Sequence, residues 1–490
     1  MRSLYDVDAI RSAEKPLLAA LPDGTLMQRA ATGLARRCAQ LLGGTYGSRV
    51  VLLVGSGNNG GDALYAGAAL ARRGARVDAL LLSESAHDGG LQAFDSAGGR
   101  RRKAGGDGDR ALIAEADLVV DGMLGIGASG PLRPAYARLA SLTASGEAIV
   151  LAVDVPTGVD ASTGAVQPDA VRADVTVTFG APKVGLYIAP GAEHAGVVDV
   201  VDIGLSLPPA HVTALDVEDV AALIPEAGAD TDKYRRGVLA VVAGSDRYTG
   251  AAVMAVGGAL ATGVGMVRFL GAAHPGELVR QAWPEAVVTV AAPGDTAALR
   301  DLGRVQAWVV GSGMGTDDAA AATVRAVLDR PEPVLLDADA LTVVADHPEW
   351  LHDRRAPTLL TPHAGEFGRL RALQREEVEA QRLEHVRDAA RSLDATVLLK
   401  GSSTLVAGPD GQVRVNTAQT SYLGTAGSGD VLSGICGALL ASGLDVLDAG
   451  SAGAFLHGLA GIDAAGDPPT PFTAMDVVRR LPHALRIVRG

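Results

Sequence analysis

The chain has 490 residues and a formal net charge of −13, and 48% of its residues are hydrophobic while 20% are charged. A chain of this length exceeds one ordinary core, so we expect two domains, and its composition argues against disorder. The negative charge disfavours nucleic acid and membrane surfaces as partners, because both are polyanions.

Charged residues interrupt the N-terminal segment, and no apolar run is long enough to span a membrane. We therefore expect a cytoplasmic protein. Cys38 and Cys436 lie far apart, and neither has the neighbouring cysteine that a metal site or a redox pair requires. Only 3% of the residues are aromatic, so a core of Ala, Val and Leu is expected, as in α/β proteins.

Short apolar runs alternate with Ala-rich helical stretches along the first half of the chain, which is typical of βαβ units and parallel sheets. A helix is predicted over Asp62–Arg73, with Gly74 as its C-cap. The predicted strands are Val50–Val54, Val77–Leu82, Asp117–Val120, Ile149–Val153, Val175–Phe179 and Val197–Val201.

The alternation stops between residues 205 and 233, where prolines and glycines are frequent, so we place the domain boundary near residue 225. The predicted domains are residues 1–215 and 226–490. Long helices are predicted over Arg375–Leu393 and Asp430–Ser442, and a hairpin turn over residues 408–411. The second series of predicted strands is Val238–Ala243, Met266–Leu270, Ala286–Val290, Ala307–Val310, Val334–Leu336, Thr358–Leu360, Thr396–Leu399, Thr404–Ala407 and Val413–Val415.

The first strand runs into a glycine-rich turn, GSGNNGGD at residues 55–62, and then into a helix. This arrangement lets backbone N–H groups reach a phosphate, but GxGxxG is a weak signal in a chain with 62 glycines, and a plain tight turn stays open. The Asp62 carboxylate would repel a phosphate. A cation or a substrate hydroxyl suits it better, unless it only stabilises the helix dipole.

Two further loops follow strands, at residues 121–131 and 154–160. An aspartate in such a place often only caps the next turn. Three loops at one sheet edge nevertheless offer oxygens from Asn59, Asp121, Asp154 and Thr157. Hard oxygen ligands favour an alkali or alkaline-earth cation over zinc.

The segments GSGNNGGD, DGMLGIGASGP, DVPTGVD and TFGAPKVGL resemble the NAD(P)H-hydrate epimerase family over nearly all of residues 1–215. The resemblance implies a Rossmann-like three-layer sandwich, a potassium ion held by Asn59, Asp121 and Thr157, and Asp154 as the catalytic group that handles the proton at the hydrated carbon. Thr157 stands where many relatives carry Ser, which keeps the hydroxyl. The residues implied to bind the hydrate are Asn58, Asn59, Gly60, Gly61, Asp62, Gly125, Ile126, Gly127, Ala128, Ser129, Gly130, Pro131 and Asp154.

In the second half, GTAGSGD at residues 424–430 leads directly into an apolar helix. Glycines before a helix leave N–H groups free to form an anion hole, and Asp430 can take a proton from an attacking hydroxyl. The alternative is an aspartate that only complements the helix dipole. Lys400–Thr404 follows a strand and offers a second phosphate contact, without the spacing of a P-loop.

Two further clusters leave alternatives open. His363 with Glu366 could be half of a metal site, although no third ligand is apparent. Asp337 and Asp339 follow a strand and could hold magnesium or merely cap a turn.

The segments VLAVVAGSDRYTGAA, GSGMG, LLTPHAGEF, LLKGSSTLV and GTAGSGDVLSG resemble the ADP- or ATP-dependent NAD(P)H-hydrate dehydratases over roughly residues 226–490. These form a branch of the ribokinase-like superfamily, so the resemblance implies a three-layer α/β/α fold, ADP as co-substrate, Mg²⁺, and Asp430 as the catalytic base. The residues implied to contact the hydrate are Ala252, Gly313, His363 and Asp430. Those implied to bind the nucleotide are Lys400, Gly401, Ser402, Ser403, Thr404 and Gly429.

Together the two resemblances imply an enzyme that interconverts the R and S hydrates of NAD(P)H. It would then dehydrate the S form while ADP becomes AMP and phosphate. We expect a homo-oligomer whose partners are the small molecules NADHX, NADPHX and ADP.

Three other functions stay open from the sequence. A ribokinase-like kinase would use the same Asp430 but release a stable phosphate ester. The N-terminal half could be a binding module without catalysis. A nicotinamide oxidoreductase would need an acid for the ribose, for which Glu84 is a candidate, although the acidic NNGGD loop argues against it.

Overall fold

The structure is a computed structural model that describes residues 1–83, 85–127, 130–144, 146–226, 228 and 232–490. It divides into two compact units. Ser3–His211 form the N-terminal unit, and Val212–Gly490 with Met1 and Arg2 form the C-terminal unit. Both are α/β units, as the composition and periodicity predict. Among the described residues, no helix combines the length and the apolar character that a membrane span requires.

The N-terminal unit is a Rossmann-like three-layer sandwich. Its sheet is parallel throughout and runs in the order β4-β3-β2-β5-β6-β7-β8. Helices α2 and α3 pack on one face of the sheet, and α5 and α6 on the other. From the first residue to His211 the elements are β1 (Arg2–Leu4), α1 (Val7–Ala20), α2 (Thr25–Leu41), β2 (Arg49–Val54), α3 (Asn58–Arg72), β3 (Arg76–Leu81), α4 (Asp88–Ser96), β4 (Arg100–Lys103), α5 (Asp109–Ala114), β5 (Leu118–Gly122), α6 (Pro134–Thr143), β6 (Ile149–Val153), β7 (Val175–Phe179), a 3-10 turn (Val184–Leu186), α7 (Gly191–Ala195) and β8 (Val197–Val201).

The strand order of this sheet reverses at β2, whose neighbours are β3 on one side and β5 on the other. Open α/β sheets bind ligands outside the carboxyl ends of their strands, at such a reversal. The loops after β2, β5 and β6 therefore meet where the predicted site residues lie.

The C-terminal unit is a larger sheet with helices packed on it. The sheet runs in the order β9-β18-β17-β16-β15-β14-β13-β10-β11-β12, parallel except for the β16-β17-β18 meander. From Val212 the elements are β9 (Val212–Ala214), α8 (Val217–Leu223), β10 (Val238–Val242), α9 (Thr249–Thr262), β11 (Met266–Gly271), α10 (Ala273–Ala282), β12 (Val287–Val290), α11 (Thr296–Asp301), β13 (Ala307–Val310), α12 (Asp318–Leu328), β14 (Val334–Leu336), α13 (Asp339–Asp346), α14 (Glu349–His352), β15 (Thr358–Leu360), α15 (Ala364–Arg371), α16 (Arg375–Ala380), α17 (Arg382–Leu393), β16 (Thr396–Leu399), β17 (Leu405–Ala407), β18 (Val413–Val415), a 3-10 turn (Ser421–Leu423), α18 (Ser428–Ala441), α19 (Val446–Ala465) and α20 (Ala474–Arg489).

Helices α9, α18, α19 and α20 bury their apolar faces in one core with this sheet. Small residues permit the closest approach, because a methyl group on Gly434 of α18 would lie 2.1 Å from the carbonyl oxygen of Ala255 on α9. The N-terminus of α18 is thereby held at the carboxyl end of the parallel strands.

Two helices differ from their predicted bounds in ways that matter for function. The single helix predicted over Arg375–Leu393 is wrong, because Gln381 leaves the helical conformation with φ −137° and separates α16 from α17. Helix α3 begins at Asn58 rather than Asp62, so Asp62 lies beyond the first turn. The strands β4 and β9 were not predicted from the sequence. The basic run of β4, Arg100–Lys103, is an exposed edge strand with no apolar pattern to reveal it.

The boundary between the units falls earlier than the proline-rich segment suggests. Strand β9 pairs with β18, and α8 packs beside α20, so the chain joins the C-terminal unit from Val212 onward.

Candidate active sites

A cavity of about 720 Å³ opens at the carboxyl end of the N-terminal sheet. The loops after β2, β5 and β6 all contribute to its wall. The predicted binding residues that line it are Asn58, Asn59, Asp62, Gly125, Ile126, Gly127, Gly130, Pro131 and Asp154. Residues predicted from three separate segments of the chain therefore share one cavity.

Gly60 and Gly61, which were also predicted to bind the hydrate, lie outside the cavity wall. A methyl group on Gly60 would sit 2.4 Å from the carbonyl oxygen of Gly55, and one on Gly61 would sit 2.9 Å from the His87 ring. Both glycines thus allow α3 to approach its neighbours closely. Ala128 and Ser129, and also Glu84, lie outside the described residues.

Asp154 forms a buried ion pair at the floor of the cavity. The Lys183 ammonium donates to Asp154 Oδ1 at 2.7 Å and to the Phe179 carbonyl at 2.6 Å. The Lys183 side chain is only 1% exposed. Asp154 adopts φ 65°, a left-handed conformation that is uncommon outside glycine. This strained residue, held by an ammonium, is consistent with a functional role.

Two further carboxyl groups face the same cavity. Burial raises the pKa of Asp62 well above its usual range, and the charges of Asp154 and Glu14 act in the same direction. Burial also raises the pKa of Glu14 on α1, helped by Asp154 and opposed by Lys183 and Arg11. The cavity therefore combines the Asp154–Lys183 ion pair with two carboxyl groups whose pKa values are raised by burial.

Asp121 lies fully buried beneath the cavity. Its Oδ1 accepts from the Thr157 hydroxyl at 2.7 Å, and its Oδ2 accepts from the Thr157 amide at 2.8 Å. Burial raises the pKa of Asp121 to about 6, although these hydrogen bonds and that from Met123 oppose the rise. No lysine or arginine in the described part of the chain pairs with it. The side chain of Asn59 bonds to the Leu124 carbonyl at 3.0 Å, and the Leu124 amide donates to Thr157. This set of buried oxygens without a cationic side chain fits a bound monovalent cation.

Sequence reasoning missed three residues of this site. Lys183 stands inside the motif TFGAPKVGL, so its position was visible but its role was not. Arg11 and Glu14 come from α1, far from any motif, and Arg11 reaches the carbonyl of Ile126. The spacing of three residues, which places both on one helix face, was their only signal.

The second site lies at the carboxyl ends of neighbouring strands β10, β13, β14, β15 and β16 of the C-terminal sheet, facing the start of α18. Gly427, with φ 84°, precedes α18, and the buried Ser428 hydroxyl bonds to His457 Nε2 at 3.1 Å. Asp430 follows in the first turn of the helix. Burial raises the pKa of Asp430 to about 6, aided by the charge of Asp337 and opposed by the Ser312 hydroxyl and Lys400.

Lys400 points toward the base of α18. Its ammonium donates to Asp337 Oδ1 at 2.8 Å and lies 3.9 Å from Glu366 Oε2. Burial alone would lower the pKa of Lys400, but the carboxylates of Asp337 and Glu366 outweigh it and raise that pKa. A methyl group built on Gly429 would lie 3.2 Å from Lys400 Nζ, so the ammonium sits directly beside the predicted anion hole.

The predicted nucleotide loop, Lys400–Thr404, wraps around a buried guanidinium that the sequence did not single out. Arg382 donates to the carbonyl oxygens of Leu399, Lys400 and Ser403 at 3.0 to 3.1 Å. The side chain of Arg382 is fully buried, and it also pairs with Glu379. Arg382 is the first residue of α17 and directly follows the break at Gln381.

His363 caps α15 and does not form a metal site with Glu366. Its Nδ1 accepts from the amides of Gly365 and Glu366, while Glu366 accepts from the His363 amide at 2.8 Å. Burial lowers the pKa of His363, which favours the neutral imidazole. The ring is half exposed. Across the residues that the structure describes, no cluster of three or more His, Cys, Asp or Glu side chains forms a metal site.

The suggestion that Asp337 and Asp339 jointly hold magnesium does not fit. Asp337 is occupied by Lys400, the Thr361 hydroxyl at 2.9 Å and the Ser433 hydroxyl at 2.7 Å. Asp339 accepts from the Gly315 amide. Both oxygens of Asp337 are therefore engaged within the protein, and Asp339 is turned to the Gly315 amide.

The remaining predicted residues of this unit are Gly313, in the loop after β13, and Ala252, in helix α9. Gly313 adopts φ 65°, and a methyl group on it would lie 2.7 Å from the Tyr248 side chain. Ala252, in the first turns of α9, is fully buried against Gly244.

Comparison with known proteins identifies the family to which the chain belongs. The NAD(P)H-hydrate dehydratase family model matches residues 239–483, and the model for the YjeF-related protein N-terminus matches residues 23–185. The bifunctional NAD(P)H-hydrate repair enzyme Nnr of Mycobacterium tuberculosis is 49% identical over 91% of this chain and 90% of its own length. The enzyme of the same name from Mycobacterium leprae is 48% identical over 99% of both chains. The chain belongs to the bifunctional NAD(P)H-hydrate repair enzyme family.

Solved structures match the C-terminal unit. The ADP/ATP-dependent NAD(P)H-hydrate dehydratase of Bacillus subtilis, co-crystallized with ATP/Mg²⁺, is 28% identical with a TM-score of 0.51 and covers 56% of this chain and 99% of its own. A ribokinase-like superfamily protein from Enterococcus faecalis, at 22% identity and a TM-score of 0.52, shares the fold. The predicted family and the ribokinase-like fold are therefore confirmed.

Proposed function

We propose that this chain repairs hydrated nicotinamide cofactors with two activities. Residues 1–215 interconvert the R and S hydrates of NAD(P)H, and residues 226–490 dehydrate the S form while ADP becomes AMP and phosphate. The observation that carries the proposal is Asp430 beside Lys400 at the glycine-lined start of α18, in a chain that also holds the Asp154–Lys183 cavity. Only one epimer fits the dehydratase, so the fused epimerase makes the whole hydrate pool available.

In the epimerase site, Asp154 handles the proton at the hydrated carbon. Lys183 holds this carboxylate in place, because its ammonium donates to Asp154 Oδ1 at 2.7 Å. The hydrate lies between Gly125–Gly127, Gly130 and the first turn of α3, which line the cavity. Their backbone groups bind its phosphates and hydroxyls.

Asn59, Asp121 and Thr157 would hold a potassium ion beneath this site. The ion would supply the positive charge that the buried Asp121 carboxylate lacks in the described part of the chain. It would also fix the three loops relative to one another.

In the dehydratase site, Asp430 takes the proton of the hydrate's hydroxyl as that oxygen attacks the terminal phosphorus of ADP. The bond from this phosphorus to the bridging oxygen breaks, and AMP leaves. N–H groups at the start of α18, including that of Gly429, face the charge that develops on the phosphoryl oxygens. The phosphate ester then loses phosphate and a proton from the adjacent ring carbon, which restores the double bond.

The nucleotide lies along Lys400–Thr404 and Gly429, while Ala252, Gly313 and His363 contact the hydrate. Mg²⁺ would enter with the phosphates of ADP, since both oxygens of Asp337 already accept hydrogen bonds from the protein. We also propose a homo-oligomer, which light scattering coupled to size-exclusion chromatography measures directly.

The function is tested by incubating the purified chain with chemically prepared NADH hydrate and ADP. Recovery of dihydropyridine absorbance is followed together with AMP and phosphate. We expect both epimers to return to NADH with one AMP per turnover, and Asp430→Asn to abolish recovery. Recovery of only one epimer would refute the epimerase assignment. A stable phosphorylated product with other substrates, and no NADH, would make the chain a kinase.

A further inference from the structure

A buried carboxylate that is not among the residues predicted to contact the hydrate or the nucleotide lies at the centre of the C-terminal site. Asp337 follows β14 and is only 1% exposed. Its Oδ1 accepts from the Lys400 ammonium and the Thr361 hydroxyl, and its Oδ2 accepts from the Ser433 hydroxyl. These partners come from the ends of β15 and β16 and from α18.

Each bond of Asp337 fixes a different part of the site. The single proton of the Ser433 hydroxyl is shared between Asp337 Oδ2 at 2.7 Å and the Gly429 carbonyl at 3.1 Å, so Asp337 is tied to the first turn of α18. Lys400 is held with its ammonium against Gly429, where any larger residue would meet it. The carboxylate therefore aligns a positive charge with the N–H groups of the anion hole.

We propose, building on the dehydratase function above, that Asp337 is the positioning residue of the phosphoryl-transfer step. It holds Lys400 where the terminal phosphate of the nucleotide is transferred, and it tunes Asp430 as the base.

The surroundings of Asp430 make the second role measurable. The charged groups that face it are Asp337 after β14, Asp339 at the start of α13, and Lys400 after β16, with Glu366 of α15 beyond Lys400. Burial, Asp337 and Asp339 raise the pKa of Asp430, whereas Lys400 lowers it. Loss of Asp337 and loss of Lys400 should therefore move that pKa in opposite directions.

The experiment compares Asp337→Asn and Lys400→Met in the full chain, using the pH dependence of kcat/KM for hydrate dehydration with ADP. We expect Asp337→Asn to lower kcat about 100-fold, because the Lys400 ammonium loses its anchor. On the acidic side of the pH profile, where kcat/KM falls as Asp430 is protonated, we expect the midpoint of this acid limb to move down by about one pH unit in Asp337→Asn. In Lys400→Met it should move up. Asp346→Asn, at an exposed carboxylate on α13, is the matched control and should leave the profile unchanged.

An unchanged kcat and acid limb in Asp337→Asn would overturn the proposal, as would shifts of the same sign in both variants. If Asp337→Asn does not fold, Ser433→Ala removes the hydrogen bond from α18 to Asp337 and leaves the carboxylate in place. This variant should lower kcat without the downward shift of the acid limb that is expected for Asp337→Asn. A wild-type chain that fails to dehydrate the hydrate refutes the proposed function instead. ADP titration calorimetry then still tests whether Asp337 and Lys400 act together, and equal affinities in wild type and Asp337→Asn would refute the positioning role.

Discussion

The buried histidine behind the anion hole makes the C-terminal unit sensitive to acid. His457 on α19 is 7% exposed, and its Nε2 bonds to the Ser428 hydroxyl. Burial lowers the pKa of His457 from 6.5 to about 4, with Lys400 acting in the same direction. Substitution of His457 by Gln keeps a polar partner for Ser428 and removes the titrating group.

The sign of the effect follows from which state binds the proton. The folded pKa lies below the unfolded value, so between about pH 6.5 and pH 4 the unfolded chain is protonated and the folded chain is not. The contribution of His457 to the free energy of unfolding is therefore fully present above pH 6.5 and decreases as the pH falls through this window. At about 1.4 kcal/mol per pH unit, the drop in pKa from 6.5 to about 4 corresponds to about 3 kcal/mol.

Asp430 acts in the opposite direction, because its pKa is raised to about 6 and its folded form binds a proton first on acidification. The pH dependence of the free energy of unfolding of the wild type is therefore a sum of opposed contributions from His457 and Asp430. The difference between wild type and His457→Gln isolates the histidine, since Asp430 contributes to both.

Urea unfolding at pH 7.5 and pH 4.5 provides the assay. The tryptophans are Trp283, Trp308 and Trp350, all in the C-terminal unit, so their fluorescence reports the unfolding of that unit. From pH 7.5 to pH 4.5, we expect the free energy of unfolding to fall by about 2 to 3 kcal/mol more in the wild type than in His457→Gln. The exposed His274→Gln is the control and should follow the wild type. Parallel profiles for wild type and His457→Gln would show that His457 is not held neutral by burial.

Three further perturbations test the two sites. Lys183→Met leaves the Asp154 carboxylate buried without its cation, which should cost the N-terminal unit about 3 to 5 kcal/mol and accelerate hydrogen exchange in peptides that cover β7. Arg382→Met removes the guanidinium that holds the nucleotide loop, so ADP should bind about tenfold more weakly or worse in titration calorimetry. Thr157→Val removes a hydroxyl of the proposed potassium site, so the epimerase rate should lose its dependence on KCl.

Each of these has its own control. The double variant Lys183→Met/Asp154→Asn should recover most of the lost stability, and a fully additive loss would contradict a coupled pair. Unchanged ADP affinity in Arg382→Met would mean that the loop holds its shape unaided. Thr157→Ser restores the hydroxyl and should restore the potassium response. A response that survives in Thr157→Val would place the ion elsewhere.

Local patterns were sufficient for most of the secondary structure and for the motifs. The runs Val50–Val54 and Val334–Leu336 are apolar on both faces because their strands are buried on both faces. Such runs can be recognised without knowing which strands lie beside them in the sheet. The Gly-Pro-Asp-Gly segment at residues 408–411 predicted the β17–β18 hairpin for the same reason, since its turn chemistry is local. The glycine-rich loops that precede α3 and α18 were visible from their composition.

The contacts that complete the sites depend on the order of strands, which no local pattern encodes. Lys400 meets Asp337 across 63 residues only because β14, β15 and β16 are neighbours in one parallel sheet, so their carboxyl ends lie side by side. Lys183 reaches Asp154 because β6 and β7 pair in the same way. The sequence by itself determined the family, the fold class and the loops that carry the chemistry. The tertiary structure decided which buried charges pair, because only long-range packing removes those groups from water and makes their partners necessary.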